Sequence, residues 1–187
     1  MRLSTRSRMP SESSDAVGLI IALLVRYPEI ATIVSHPTDG TLTLSFAIGE
    51  RIGRLAERAV ADSVGEHVRS LLAMSGEQPD GLEVAAESDR NATFLRITRD
   101  LRSFSREELQ LLVAVLGERF GEKLHRSPAV NEDGYEDDGS SDELVDYAIE
   151  ALREPESQRS MVGFREEKRV LVYFIKSRKK AKARARS

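Results

Sequence analysis

The sequence predicts an α+β fold: a mainly antiparallel sheet of about six strands, built from three β-hairpins, with helices packed on one face. Three observations carry this expectation. A strand pattern followed by a turn and a second strand recurs at 30–48, 82–100 and 160–176. Between the first two hairpins, and again after the second, the apolar spacing changes from two residues to the three-to-four of a helix. Thr41 to Ile48 alternates without a break, with Leu42, Leu44, Phe46 and Ile48 on one face and Thr41, Thr43 and Ser45 on the other. That is the pattern of a half-buried antiparallel strand, and a slip of one residue would put all four large side chains in water.

The first helix is expected over about Ala16 to Arg26, capped by Asp15 and stopped by Pro28. Ala-Val-Gly-Leu-Ile-Ile-Ala-Leu-Leu-Val is apolar on nearly every side, which predicts burial by the chain's own core or by a partner subunit. Ile30 to Ser35 is rich in β-branched residues and reads as a strand, and His36-Pro37-Thr38-Asp39-Gly40 supplies the reversal into the second strand.

A second helix is expected from about Glu50 to Ser75, burying Ile52, Leu55, Ala56, Ala59, Val60, Val64, Val68, Leu71 and Leu72. Its other face mixes Arg51, Arg54, Arg58 and Arg69 with Glu57, Asp62 and Glu66, the mark of a solvated surface. In the second hairpin Leu82, Val84 and Ala86 alternate with Glu83, Ala85 and Glu87, Asp89 to Asn91 turns, and Phe94 to Ile97 returns. The third helix has a local start signal: Ser105 as N-cap, Glu108 as its capping-box partner, Phe104 with Leu109 as a hydrophobic staple, and Gly121 as C-cap. A fourth helix is expected from Ser140, with Glu143 as box partner and Leu144, Val145, Ala148, Ile149 and Leu152 inward, ending before Pro155. The last hairpin places Met161 to Phe164 and Val170 to Ile175 on either side of a turn at Arg165 to Arg169. Its second strand is apolar enough to be expected at the centre of a sheet, or paired on both faces.

The expected division is a flexible basic arm at 1–14, an α+β core at 15–127, an acidic linker loop at 128–141, a helix plus hairpin at 142–176 that completes the core or forms a small unit, and a disordered basic tail at 177–187. Charge follows this division more closely than the net value of −3 implies. Arg2, Arg6 and Arg8 contribute +3, and Lys176, Arg178, Lys179, Lys180, Lys182, Arg184 and Arg186 contribute +7; removing both from −3 leaves −13 for residues 11–175. Seven of those acids fall between Glu132 and Glu143, in the loop and at the start of the next helix, enough to pair with the tail or to compete with phosphate for it.

Several function classes are excluded or left without support. With no Cys there is no disulfide, thiolate metal site or thiol nucleophile, which fits a reducing cytoplasm. The ten-residue apolar run at 16–25 is too short to cross a bilayer, and Glu12, Asp15 and the polar residues after Val25 oppose its reading as a signal peptide. No phosphate-cradling glycine loop, nucleophile elbow or zinc-protease motif is present. A calcium loop centred on Gly134 or Gly139 lacks Glu at its last position, where Ser140 or Val145 stands instead. His36 reads as turn structure, His67 as a boundary residue of the second helix, and His125 as part of a short strand. No cofactor, metal site or catalytic residue is expected.

The feature with chemical content is the tail, Lys-Ser-Arg-Lys-Lys-Ala-Lys-Ala-Arg-Ala-Arg-Ser. Its seven cations can neutralise several phosphates without reading sequence. No aromatic residue is interleaved for base stacking, and no apolar face is offered to a membrane. In composition it resembles the basic extensions of ribosomal and other RNA-associated proteins. The expectation is therefore a non-enzymatic cytoplasmic binding protein that contacts RNA, DNA or a ribonucleoprotein through its basic termini. The alternative is an oligomeric scaffold or regulatory protein-binding module with no nucleic-acid role, a homo-oligomer with the first helix or third hairpin at the subunit interface.

Overall fold

A computed structural model describes residues 12–128, 140–153, 159–167 and 169–176. Four helices pack on a six-stranded antiparallel sheet. The helices are α1 (Glu12–Arg26), α2 (Arg54–Met74), α3 (Arg106–Phe120) and α4 (Ser140–Arg153). The strands are β1 (Ile30–His36), β2 (Thr41–Ile48), β3 (Leu82–Asp89), β4 (Ala92–Asp100), β5 (Ser160–Glu166) and β6 (Arg169–Ile175), in the spatial order β3-β4-β2-β1-β5-β6. Each of the three hairpins pairs within itself. The first sits in the middle, joined to β4 by β2 and to β5 by β1.

The register explains the core. Ile33 lies opposite Leu44 on one side and Gly163 on the other, and Leu44 lies opposite Ile97. These side chains share one face and are buried beneath the helices with Leu42, Phe46 and Leu95. α1 covers the β1-β5-β6 side through Ile20, Leu23 and Leu24, while α2 covers β3 through Val60, Val64 and Val68. α4 packs on α1 and α3. Arg106 of α3 reaches Asp142 at 2.7 Å and Asp146 at 3.0 Å, and Arg153 donates to the carbonyls of Leu101 and Phe104.

Gly163 is the closest point between α1 and the sheet. A Cβ there would stand 2.3 Å from Ile20 Cγ2 and 3.0 Å from Leu24 Cδ1, so only a residue without one lets α1 lie this low.

The structure departs from the sequence reading in six places. α1 begins at Glu12, so Asp15 lies inside the helix instead of capping it, and residues 12–14 belong to a helix. α2 begins four residues later than expected, at Arg54; Leu55, Ala56 and Ala59 face solvent, with Leu55 88% exposed. The apolar buried stripe starts only at Val60, because the position one turn before it that faces β3 is Glu57, while Leu55, Ala56 and Ala59 turn away from the sheet. Leu144 is 47% exposed, since α4 is buried along Val145, Ala148, Ile149 and Leu152 alone. Glu57, expected in solvent, accepts the Ser88 amide at 3.0 Å. The third hairpin turns more tightly than expected, Glu166 pairing with Arg169. Finally, β6 is an edge strand and not a central one: its described partner is β5 alone. The start of α3 follows expectation, the Ser105 hydroxyl accepting the Glu108 amide at 3.3 Å.

Candidate interaction surface on the open sheet face

Residues that stand opposite one another in register point to the same side of a sheet. Following the register away from the helices therefore maps the uncovered face. On β3, β4 and β2 this face is mostly polar, Phe94 being its one large apolar side chain: Glu83, Glu87 and Arg96 project from it, Arg96 paired to Glu87 at 2.8 Å, and the hydroxyls of Thr43 and Thr98 meet at 2.9 Å. On β1, β5 and β6 it is apolar. Val34 lies opposite Val162, which lies opposite Tyr173; Thr32 lies opposite Phe164, which lies opposite Leu171. Ile175 continues the patch beside Ser160.

The Phe164 and Tyr173 rings stack with centroids 5.8 Å apart, and Tyr173 is 54% exposed. Charge enters only where the patch ends, at Glu166 and Arg169. At its upper end His36 Nδ1 lies 3.0 Å from Ser160 Oγ. A contiguous apolar area bounded by polar groups is what a soluble chain presents to a partner.

The densest polar cluster has the opposite character. Arg99, on the helix-covered face of β4, is buried, and all five of its donors are used. Its Nε and Nη2 hold both Glu108 oxygens, at 2.6 and 3.1 Å; Nη2 also reaches Ser103 Oγ at 2.9 Å, and Nη1 bonds the Gly81 carbonyl at 2.7 Å and the Asp100 carboxylate. Asp100 in turn accepts from the Gly81 amide and from the amide and hydroxyl of Ser103.

Burial works to raise the Asp100 carboxyl, but the Ser103 and Gly81 donors outweigh it and hold that group well below the ordinary carboxylate range. Burial pushes the Glu108 carboxyl up, with Arg99 pulling against it. Glu108 thus has a different partner from the one its spacing predicts: its amide joins the Ser105 cap while its carboxylate neutralises Arg99. With every donor occupied and no solvent access, the cluster fastens the start of β3, the end of β4 and the start of α3 together. It is not arranged to meet a substrate.

The other polar groups among the described residues are dispersed. His67 is exposed and bonds the Ser63 carbonyl at 2.7 Å. Two shallow depressions, of about 220 and 370 Å³, lie between α2 and β3 and beside Leu101, Leu152 and Arg153. Among the described residues no group of three His, Asp or Glu could hold a metal ion, and no helix is long and apolar enough to cross a membrane. Arg165 keeps Nε and Nη2 buried without a hydrogen-bond partner; burial pushes its guanidinium down and Glu29 pulls against that.

Of the expected binding residues, Lys176 is exposed directly after β6. Arg178, Lys179, Lys180, Lys182, Arg184 and Arg186 lie outside the described residues, as do residues 1–11 and 129–139, which carry the basic arm and most of the acidic loop. The open face escaped the sequence reading because Val170 to Ile175 was placed at a sheet centre. Nothing in Val170 to Ile175 itself separates an edge strand from a central one. Arg99, by contrast, left a trace: it continues the buried positions Leu95 and Ile97 at spacing two.

No family model, curated protein or solved structure matches the chain.

Proposed function

We propose that this chain is a non-enzymatic binding protein that docks protein on the apolar half of its open sheet face. The observation that carries the reading is the stacked pair of half-buried Phe164 and exposed Tyr173, in an area where β1, β5 and β6 place no charged side chain between the two ends of the strands. Each large side chain covered there gains roughly 1.5–3 kcal/mol. The fully occupied Arg99 cluster supports the absence of catalysis. A photoreactive residue placed at position 173 of the full chain tests the reading. It should cross-link to a protein, and Leu171→Glu in the same chain should remove the cross-link; cross-links absent from the start, or indifferent to Leu171→Glu, overturn it.

A second reading rests on the seven cations and no acid of residues 176–187. In it the basic tail, helped by the amino-terminal arginines, holds RNA, DNA or a ribonucleoprotein in the cytoplasm. Seven phosphate contacts give a slope of log K against log salt near −6, using roughly −0.9 per contact on duplex. Titration of a labelled duplex into the full chain and into a chain ending at Ile175 measures it. A slope that the truncation leaves unchanged rules this reading out.

A further inference from the structure

We infer that the surface docked against β6 is the β6 of a second copy, the two edges pairing antiparallel about a two-fold axis at Val172. This goes beyond the docking reading above: it fills the edge of β6 and leaves the open face, doubled in width, to the partner of that reading.

The first argument is the backbone. Glu166 pairs with Arg169 across a two-residue turn in which Glu167 has φ 54°. Such a turn closes on a hydrogen-bonded pair, and bonding alternates along the ladder. Arg169, Leu171, Tyr173 and Ile175 therefore direct their amides and carbonyls at β5, and Val170, Val172 and Phe174 direct theirs outward. These outward groups are spaced for a second antiparallel strand.

The second argument is that the strand complements itself. With Val172 opposite Val172 of the second copy, Val170 meets Phe174 and Leu171 meets Tyr173. All are apolar cross-strand pairs, and about six backbone hydrogen bonds form between the copies. The two-fold axis stands normal to the sheet, so the apolar halves of both open faces merge into one surface.

Charge favours the antiparallel direction. A parallel, in-register pairing would set Glu166 against Glu166, Glu167 against Glu167, Arg169 against Arg169 and Lys176 against Lys176, whereas the antiparallel register about Val172 sets Arg169 opposite Ile175 and leaves Lys176 opposite Lys168 as its like-charge pair by position.

The helix layer agrees. Arg26 reaches toward Asp142 of α4 at 3.5 Å. At 100° per residue, Val17, Ile21 and Val25 lie on the other flank of α1, and they are half-buried, half-buried and 42% exposed. α1 packs on β5 and β6, so the apolar flank turned from α4 meets its copy above the seam.

Sedimentation of the full chain at about 10 μM tests the inference, a concentration at which an interface of ordinary size is populated. The expected mass is roughly twice the 20.8 kDa of one chain. Val172→Pro should return it to one chain, because the amide it deletes points away from β5 and the hairpin survives. If that variant loses its circular dichroism, Leu171→Lys combined with Tyr173→Lys makes the test in its place. A wild-type monomer overturns the inference. So does a dimer unmoved by these substitutions, or a monomer that dimerises only when residues 1–11 are removed, which would assign the edge to the chain's own arm. A monomer that still cross-links to another protein from position 173 overturns the dimer and leaves the docking reading standing; a monomer without cross-links overturns both.

Discussion

The two outer hairpins of this sheet solve the same problem in opposite ways. β3–β4 and β5–β6 each flank the central pair, and among the described residues each ends in an edge with no further strand. β3 guards its edge with Glu83, Glu87 and Asp89, all exposed, and charges on an edge strand repel a further strand. β6 carries six apolar residues out of seven and no acid. The hairpins also differ in how they are fastened. β3–β4 is held by the buried Arg99 cluster, in which every donor has one fixed partner. β5–β6 is held by the close approach of Gly163 to Ile20 and Leu24, where fit and not direction decides. The lesson is that a closed, guarded edge can accompany a polar anchor, whereas the apolar hairpin stays adaptable on both sides.

Three substitutions test that contrast. Glu108→Ala strands Arg99 in the core with half its carboxylate partners gone, and should cost about 3–5 kcal/mol in urea unfolding, the largest of these effects. A cost below about 1 kcal/mol would mean that the cluster does not anchor its hairpin. Gly163→Ala should cost about 1–3 kcal/mol, because the new methyl group forces α1 off the sheet. Hydrogen exchange should localise the loss to α1 and β5, and leave α2 and β3 protected; uniform loss would contradict the separate fastening of the two sides.

The smallest effect is one of pH. Asp100 has a carboxyl held below its unfolded value near 3.9. Its contribution is therefore present above that value and disappears as pH falls toward the folded one. The stability difference between wild type and Asp100→Asn should shrink steadily from pH 5 to pH 2. A constant difference would show that the neutral amide already supplies what the carboxylate does.

Much of the fold was legible because local chemistry and tertiary demand coincide. Thr41 to Ile48 alternates in sequence and is buried on one side in the sheet, and Ser105 caps α3 as its spacing predicts. The misreadings came where the two diverge. Leu55 is four residues from Ala59 but five from Val60, about 140° round the helix from the buried stripe, so a stripe drawn too wide assigned it to the core. Val170 to Ile175 is as apolar as a central strand, and composition cannot tell a strand with two neighbours from one awaiting a second. The candidate surface was illegible for the same reason: Phe164, Val162 and Tyr173 become one patch only when register brings together segments separated by 130 residues from Val34 and Thr32.

Strand order has a consequence for how the chain is made. β1 to β4 can pair once residue 100 has been synthesised, and the Arg99 cluster closes once residue 108 follows, although β2 must wait for β4 across as many as 59 residues. β1, however, keeps one edge unpaired until β5 arrives, since Thr32 waits for Phe164. Throughout that interval α1 has no Gly163 to rest on, and its all-round apolar surface stays uncovered. Contacts of such long range form slowly and leave sticky surface in the meantime. The growing chain is therefore most exposed to misassociation between the completion of α3 and the arrival of its last hairpin, which is the interval in which a chaperone would find something to hold.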